Sequence, residues 1–178
     1  MLPLRSIAMA VVLAGAACAD EPTRPDTVIP PDQGGGVSAF VSVDNLHALP
    51  GQTVRVSVQV RGAEAGLKVG SYTGRLRFDP ALLQYKAEVA INDGLRVANP
   101  NGAPTGELRF AGANATGFAN LTLYSAQFTV RSTDYARSLV LQMEELSAAR
   151  SLVNLSPKLQ VARTVYLDGQ APAAQPKP

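Results

Sequence analysis

From residue 37 onward, apolar and polar side chains alternate with a period of two through most of the chain. In TVRVSVQV, Val54, Val56, Val58 and Val60 fall on one face, and Thr53, Arg55, Ser57 and Gln59 on the other. Successive side chains of a strand point to opposite sides, so a strand with one buried side carries this pattern. SYTGRLRF repeats it, with Tyr72, Leu76 and Phe78 inward and Ser71, Thr73, Arg75 and Arg77 outward. Further strands are predicted over 37–43, 82–89, 107–111, 121–131, 138–143 and 159–167. Within 121–131 the phase slips between Leu123 and Tyr124, which predicts a bulge or a bend from one sheet to the other. Turn signals separate the runs: LPGQ at 49–52, FDP at 78–80, NDG at 92–94 and NPNGAPTG at 99–106. Short alternating strands punctuated in this way predict an all-β domain, a two-sheet antiparallel β-sandwich, over residues 37–168.

Outside that span the alternation stops. Residues 19–36, ADEPTRPDTVIPPDQGGG, combine prolines with a glycine triplet; such a stretch supports neither helix nor ladder and is expected to be an extended tether. The last ten residues, GQAPAAQPKP at 169–178, are expected to be unstructured. At the start, Arg5 precedes an apolar run over 7–17 that ends in Gly15, Ala16 and Ala17. This predicts an export signal over 1–17, too short to cross a bilayer. Cys18, the only cysteine, follows at once, an arrangement that resembles the lipobox of bacterial lipoproteins. The resemblance implies lipidation at Cys18 and a membrane-anchored, exported protein with 18–36 as its linker. Ala19 after it implies the outer membrane or the cell surface. The alternative is a plain export signal that happens to hold a cysteine.

Composition narrows the class. Of 178 residues, 46% are hydrophobic and only 17% charged, with 15 Gly and 13 Pro, which suits an extracellular β domain better than a charged helical one. The formal charge of +2 gives nothing that would attract nucleic acid. A single cysteine leaves no intrachain disulfide, so stability rests on the packed core.

Catalytic chemistry has little to build on. His47 is the only histidine and sits before a turn with no Ser or Cys placed beside it. The carboxylates are scattered, with no spacing that marks a glycosidase pair. Asp79-Pro80 reads as a turn, with Asp accepting backbone bonds and Pro fixing φ. No CxxC, second His or acidic calcium loop is present, so neither a metal site nor a cofactor is expected. The expectation is a protein that is not an enzyme.

The order of the strand motifs brings in a family. An opening strand, ALPGQTVRVSVQV, GSYTGRLRFDPALLQYKAEV, a long Asn/Gly-rich stretch, GELRFAGANATG, LYSAQFTVR and a closing LQVARTVYLDG together resemble a cohesin domain over residues 37–168. The resemblance implies a nine-stranded jelly-roll sandwich shared with cellulose-binding modules, and a noncatalytic module that docks dockerin helices on a sheet face. If strands 71–79 and 107–111 are neighbours, as in cohesins, then Ser71, Thr73, Arg75, Arg77, Glu107 and Arg109 share one flat exterior. Arginine suits such a contact because its planar fork bonds carboxylates and carbonyls bidentately. With no calcium loop in this chain, a dockerin would come from a partner in trans. The second reading is a carbohydrate-binding module of the same fold. It is weakened by the absence of Trp and of a tyrosine strip: Tyr72 and Tyr85 fall on the inward phase, while Tyr124, Tyr135 and Tyr166 are unassigned.

Overall fold

The computed structural model of the protein describes residues 36–62, 68–119, 121–170 and 172. The segment expected to be an export signal, Cys18 and all of the expected linker except Gly36 lie outside the described residues, as does most of the 169–178 tail. The described chain forms nine strands: β1 Val37–Val43, β2 Thr53–Gly62, β3 Val69–Arg77, β4 Leu83–Glu88, β5 Leu95–Asn99, β6 Glu107–Ala113, β7 Thr122–Val130, β8 Val140–Ala148 and β9 Leu159–Leu167. They build a five-stranded sheet in the order β4-β7-β2-β1-β9, packed on a four-stranded sheet in the order β5-β6-β3-β8. Every ladder is antiparallel except β1 with β9, which run parallel.

The period-two residues fill the space between the sheets. Val54, Val56, Val58 and Val60 of β2 are each buried, as are Tyr72, Leu76 and Phe78 in and just after β3. Full burial of a side chain of this size contributes about 2 kcal/mol, so β2 alone supplies a large share of the core. Edge-to-face and stacked rings continue the core across the gap, with Phe78 on Phe128 at 5.1 Å and Phe110 parallel to Tyr124 at 5.1 Å.

The phase slip in β7 is a bulge. Val58 pairs with Tyr124 and Gln59 with Thr122, which leaves Leu123 unpaired and turns both Leu123 and Tyr124 inward. The strand does not cross between sheets.

Two departures from the sequence pattern concern the four-stranded sheet. β5 was not among the predicted strands, and it forms the sheet edge beside β6. β8 runs to Ala148 rather than ending at 143. Its register shifts opposite Thr73 and Gly74, so that Glu144 and Glu145 stand in succession on the exposed side. Between β5 and β6 a 3₁₀ segment, Pro100–Thr105, ends on Gly106 at φ 83°. There a Cβ would lie 2.1 Å from the Phe78 carbonyl oxygen. Only glycine fits that turn, and Phe78 donates its N–H back to the Gly106 carbonyl at 2.9 Å.

β5 carries an arginine inward. The Arg96 guanidinium lies 4.4 Å from the centre of the Phe118 ring, and Nη1 donates to the Tyr72 hydroxyl at 3.0 Å and to the Thr122 and Leu123 carbonyls at 2.8 Å each. Nε bonds the Asp93 carbonyl, while Nη2 stands 3.6 Å from the Asp93 carboxylate. The bulge at Leu123 thus presents carbonyls that an arginine from the opposite sheet satisfies, tying β5 to β7 across the core.

Candidate functional site

The outer faces of the two sheets differ in kind. On the five-stranded sheet, Phe40 packs edge-on against Tyr166 at 5.5 Å. Ser42 donates to Asp168 Oδ1 at 2.7 Å and accepts from Gln59 Nε2 at 2.9 Å, and the Ser57 and Ser125 hydroxyls meet at 3.1 Å. Arg55 completes this set on Asp168 Oδ2 at 3.2 Å. Phe40, Ser42, Ser57 and Ser125 are all buried, so this exterior is largely self-satisfied.

The four-stranded sheet presents the opposite. Its register sets Arg77 beside Glu107, Arg75 beside Arg109, Thr73 beside Ala111 and Ser71 beside Ala113. Since these pairs fall at every second residue, Ser71, Thr73, Arg75, Arg77, Glu107 and Arg109 lie on one exposed surface. β5 adds Leu95, Val97 and Asn99, and β8 adds Val140, Gln142, Glu144, Glu145 and Ser147. Three of these are large apolar groups left in solvent: Leu95 is 68% exposed, Val97 57% and Val140 55%.

Charge on this face is sorted. At one end a single carboxylate, Glu107, takes Arg109 Nε at 2.9 Å, Arg77 Nε at 3.2 Å and Arg75 Nη1 at 3.9 Å. These guanidinium groups, Arg109 foremost, hold the Glu107 carboxyl below the usual carboxylate range. Arg75 also pairs with Glu144, and Ser71 donates to Glu145 at 3.2 Å. At the other end the β5–β6 edge is small or apolar, with Leu95, Val97, Ala111 and Ala113, while β3 and β8 beside it carry Ser71, Thr73, Glu145 and Ser147.

The remaining candidates take structural places. His47 is exposed, and its backbone N–H donates to Asn45 Oδ1 at 2.9 Å. Asp79 caps the turn predicted for it, accepting from the Ala81 N–H at 2.8 Å. Among the described residues no group of three or more His, Cys, Asp or Glu side chains gathers as a metal site. Tyr72, Tyr124 and Tyr135 are buried, Tyr85 is half-buried against Phe128, and Tyr166 lies on the other sheet against Phe40. No tyrosine stands on the four-stranded face.

A family model described as the cohesin domain matches residues 39–135. The chain belongs to the cohesin family. Solved structures with the same architecture include the sixth cohesin of scaffoldin B from Acetivibrio cellulolyticus, in complex with a Cel5 dockerin mutant. It is 16% identical, has a TM-score of 0.54, and the match covers 74% of this chain and 99% of that one. A type II cohesin domain from the cellulosome of the same organism is also 16% identical, at a TM-score of 0.52 over 71% of this chain and 92% of that one. These identities show a shared cohesin fold. No curated protein matches the chain in sequence. Sequence reasoning found the β3 and β6 members of the exposed face. It missed Leu95, Val97, Glu144 and Glu145, whose signal was an edge strand and a bulge.

Proposed function

We propose that this cohesin is a noncatalytic attachment module that captures a dockerin-like module in trans on the outer face of β5-β6-β3-β8. The observation that carries this reading is the contrast between the two sheet exteriors. One is closed by its own hydrogen bonds, whereas the other leaves Leu95, Val97 and a cluster of arginines in solvent. An interface needs that mixture of desolvatable surface and polar rim, with arginine over-represented among its anchors. The absence of a ring on this face favours a protein partner over a pyranose surface.

Titration calorimetry of the full-length chain against isolated dockerin modules tests the reading. Saturable binding that is lost in Arg75→Glu/Arg77→Glu, with the domain still folded by circular dichroism, is the expected result. Retention by a glycan array, with no dockerin bound, would overturn it in favour of the carbohydrate-binding alternative.

The same proposal places the module at the cell envelope, exported by residues 1–17 and held by a lipid on Cys18. It rests on the small residues before Cys18 and the Pro/Gly linker after it. Radiolabelled palmitate is expected in the wild-type chain and absent from Cys18→Ser; equal labelling of the two would sink the anchor.

A further inference from the structure

The docking face is polarised, and the polarity specifies its partner. Arg77 and Arg109 share Glu107, yet their side chains are 54% and 58% exposed against 24% for the glutamate. Each spends Nε on the carboxylate. The terminal nitrogens of both make no hydrogen bond among the described residues. Two planar forks with open donors therefore converge at one end of β6 and β3, around an acid already claimed by three cations.

Further along, the β5–β6 edge of the face becomes apolar. Leu95 pairs with Ala113 and Val97 with Ala111. The outward alanines are short and the outward Leu and Val stand proud beside them, forming a shelf along the β5 edge. The other acidic groups of the face are on β8: Glu144 is engaged by Arg75, and Glu145, across Thr73 from Ala111, by Ser71.

We infer that the recognition helix of the partner is amphipathic along its length, with an apolar half on Leu95, Val97, Ala111 and Ala113 and carboxylates on Arg77 and Arg109. The inference rests on the attachment reading and adds the chemistry of its partner. Register sets the spacing. Successive outward residues of a strand are about 7 Å apart, and a helix rises about 1.5 Å per residue. A helix lying along β6 therefore places apolar side chains about four residues apart over Ala113 and Ala111. Its first acid falls about nine residues from the apolar end, over Arg109. A carboxylate there receives bidentate donors that are otherwise left to water. A basic residue at that point meets Arg77 and Arg109, whose shared carboxylate Glu107 is already engaged.

A display library of dockerin-type modules with randomised exposed helix positions, selected on the full-length chain, tests this. Asp and Glu are expected to be enriched about tenfold at positions two to three turns from the far member of an enriched Leu/Ile/Val pair, the gain of one charge-assisted hydrogen bond. Selection on R77E/R109E is expected to reverse the preference to Lys and Arg. Selection on R77Q/R109Q is expected to abolish it while the apolar pair persists. Binders with no acidic bias, or the same bias on R77E/R109E as on wild type, would overturn the polarity and leave attachment standing. Recovery of no binder from any selection would overturn the attachment reading, and the polarity with it.

Discussion

Tyr72 and Gly112 face each other across the β3–β6 ladder, and a Cβ at position 112 would lie 2.5 Å from both Cζ and the hydroxyl oxygen of the tyrosine. The next inward pair reverses the roles, with Gly74 under the Phe110 ring, where a Cβ would lie 2.6 Å from Cζ. Each aromatic occupies the space that the facing glycine vacates, and the two rings stand 6.2 Å apart. Gly112→Ala is therefore expected to destabilise the domain by about 1–3 kcal/mol through overpacking. Urea denaturation followed by tyrosine fluorescence measures it, and a midpoint unchanged from wild type would contradict the packing described.

Arg96 offers a second test. Its replacement by Met keeps much of the volume but leaves the Thr122 and Leu123 carbonyls and the Asp93 carboxylate without their cation. The expected loss is about 2–4 kcal/mol. Arg96→Lys should recover less than half, because one ammonium cannot reproduce the planar spread of donors. Equal stability of the Lys variant and wild type, measured by the same denaturation, would show that the spread of donors is unimportant.

Acid should loosen the outer face of the four-stranded sheet. The Glu107 carboxyl titrates lower in the folded protein than in the unfolded chain. Its contribution to stability is therefore present above the ordinary glutamate range and is lost as the pH falls through its depressed value. Glu107→Gln should lower the melting temperature at pH 7, where the ionised carboxylate contributes, and flatten its fall below about 4.5, so that the two proteins converge in acid. Identical slopes for the two proteins in acid would refute this.

Alkali acts on the tyrosines with the opposite sign. Burial raises the Tyr72 and Tyr124 phenols, and pushes Tyr135 up to about 12, where its hydroxyl also donates to the Asn45 carbonyl. Each stabilises the fold fully below the ordinary phenol value, and that stability is lost as the pH rises from about 10 through the raised values. Phenolate absorbance from these three should appear together with loss of near-ultraviolet circular dichroism. Their titration near pH 10 in a folded protein would contradict their burial.

Most strands were legible in the sequence: β1, β2 and β3 alternate because the core accepts every second residue, β7 does so on either side of its bulge, and β4, β6 and β9 also stand where the pattern predicts them. β5 was illegible for a definite reason. In LRVAN the apolar Leu95 and Val97 face solvent while Arg96 and Ala98 face the core, so the hydrophobic phase is inverted. The second half of β8 was hidden by its bulge, since Met143-Glu144-Glu145 breaks the alternation. Both failures fall on the exposed face of the four-stranded sheet. Ser71, Thr73, Arg75, Arg77, Glu107 and Arg109 could be gathered from period and family resemblance, but the apolar shelf beside them depended on register, which only the fold supplies.

The parallel pairing of β1 with β9 has a mechanical consequence. β1 lies between two ladders, antiparallel with β2 and parallel with β9, and it begins at Val37, opposite Gly62 on one side and Leu159 on the other. A pull applied at Val37 along the strand runs across the perpendicular bonds of the β1–β2 ladder and the slanted bonds of the β1–β9 ladder. Both rows then share the tension as shear instead of opening bond by bond like a zip.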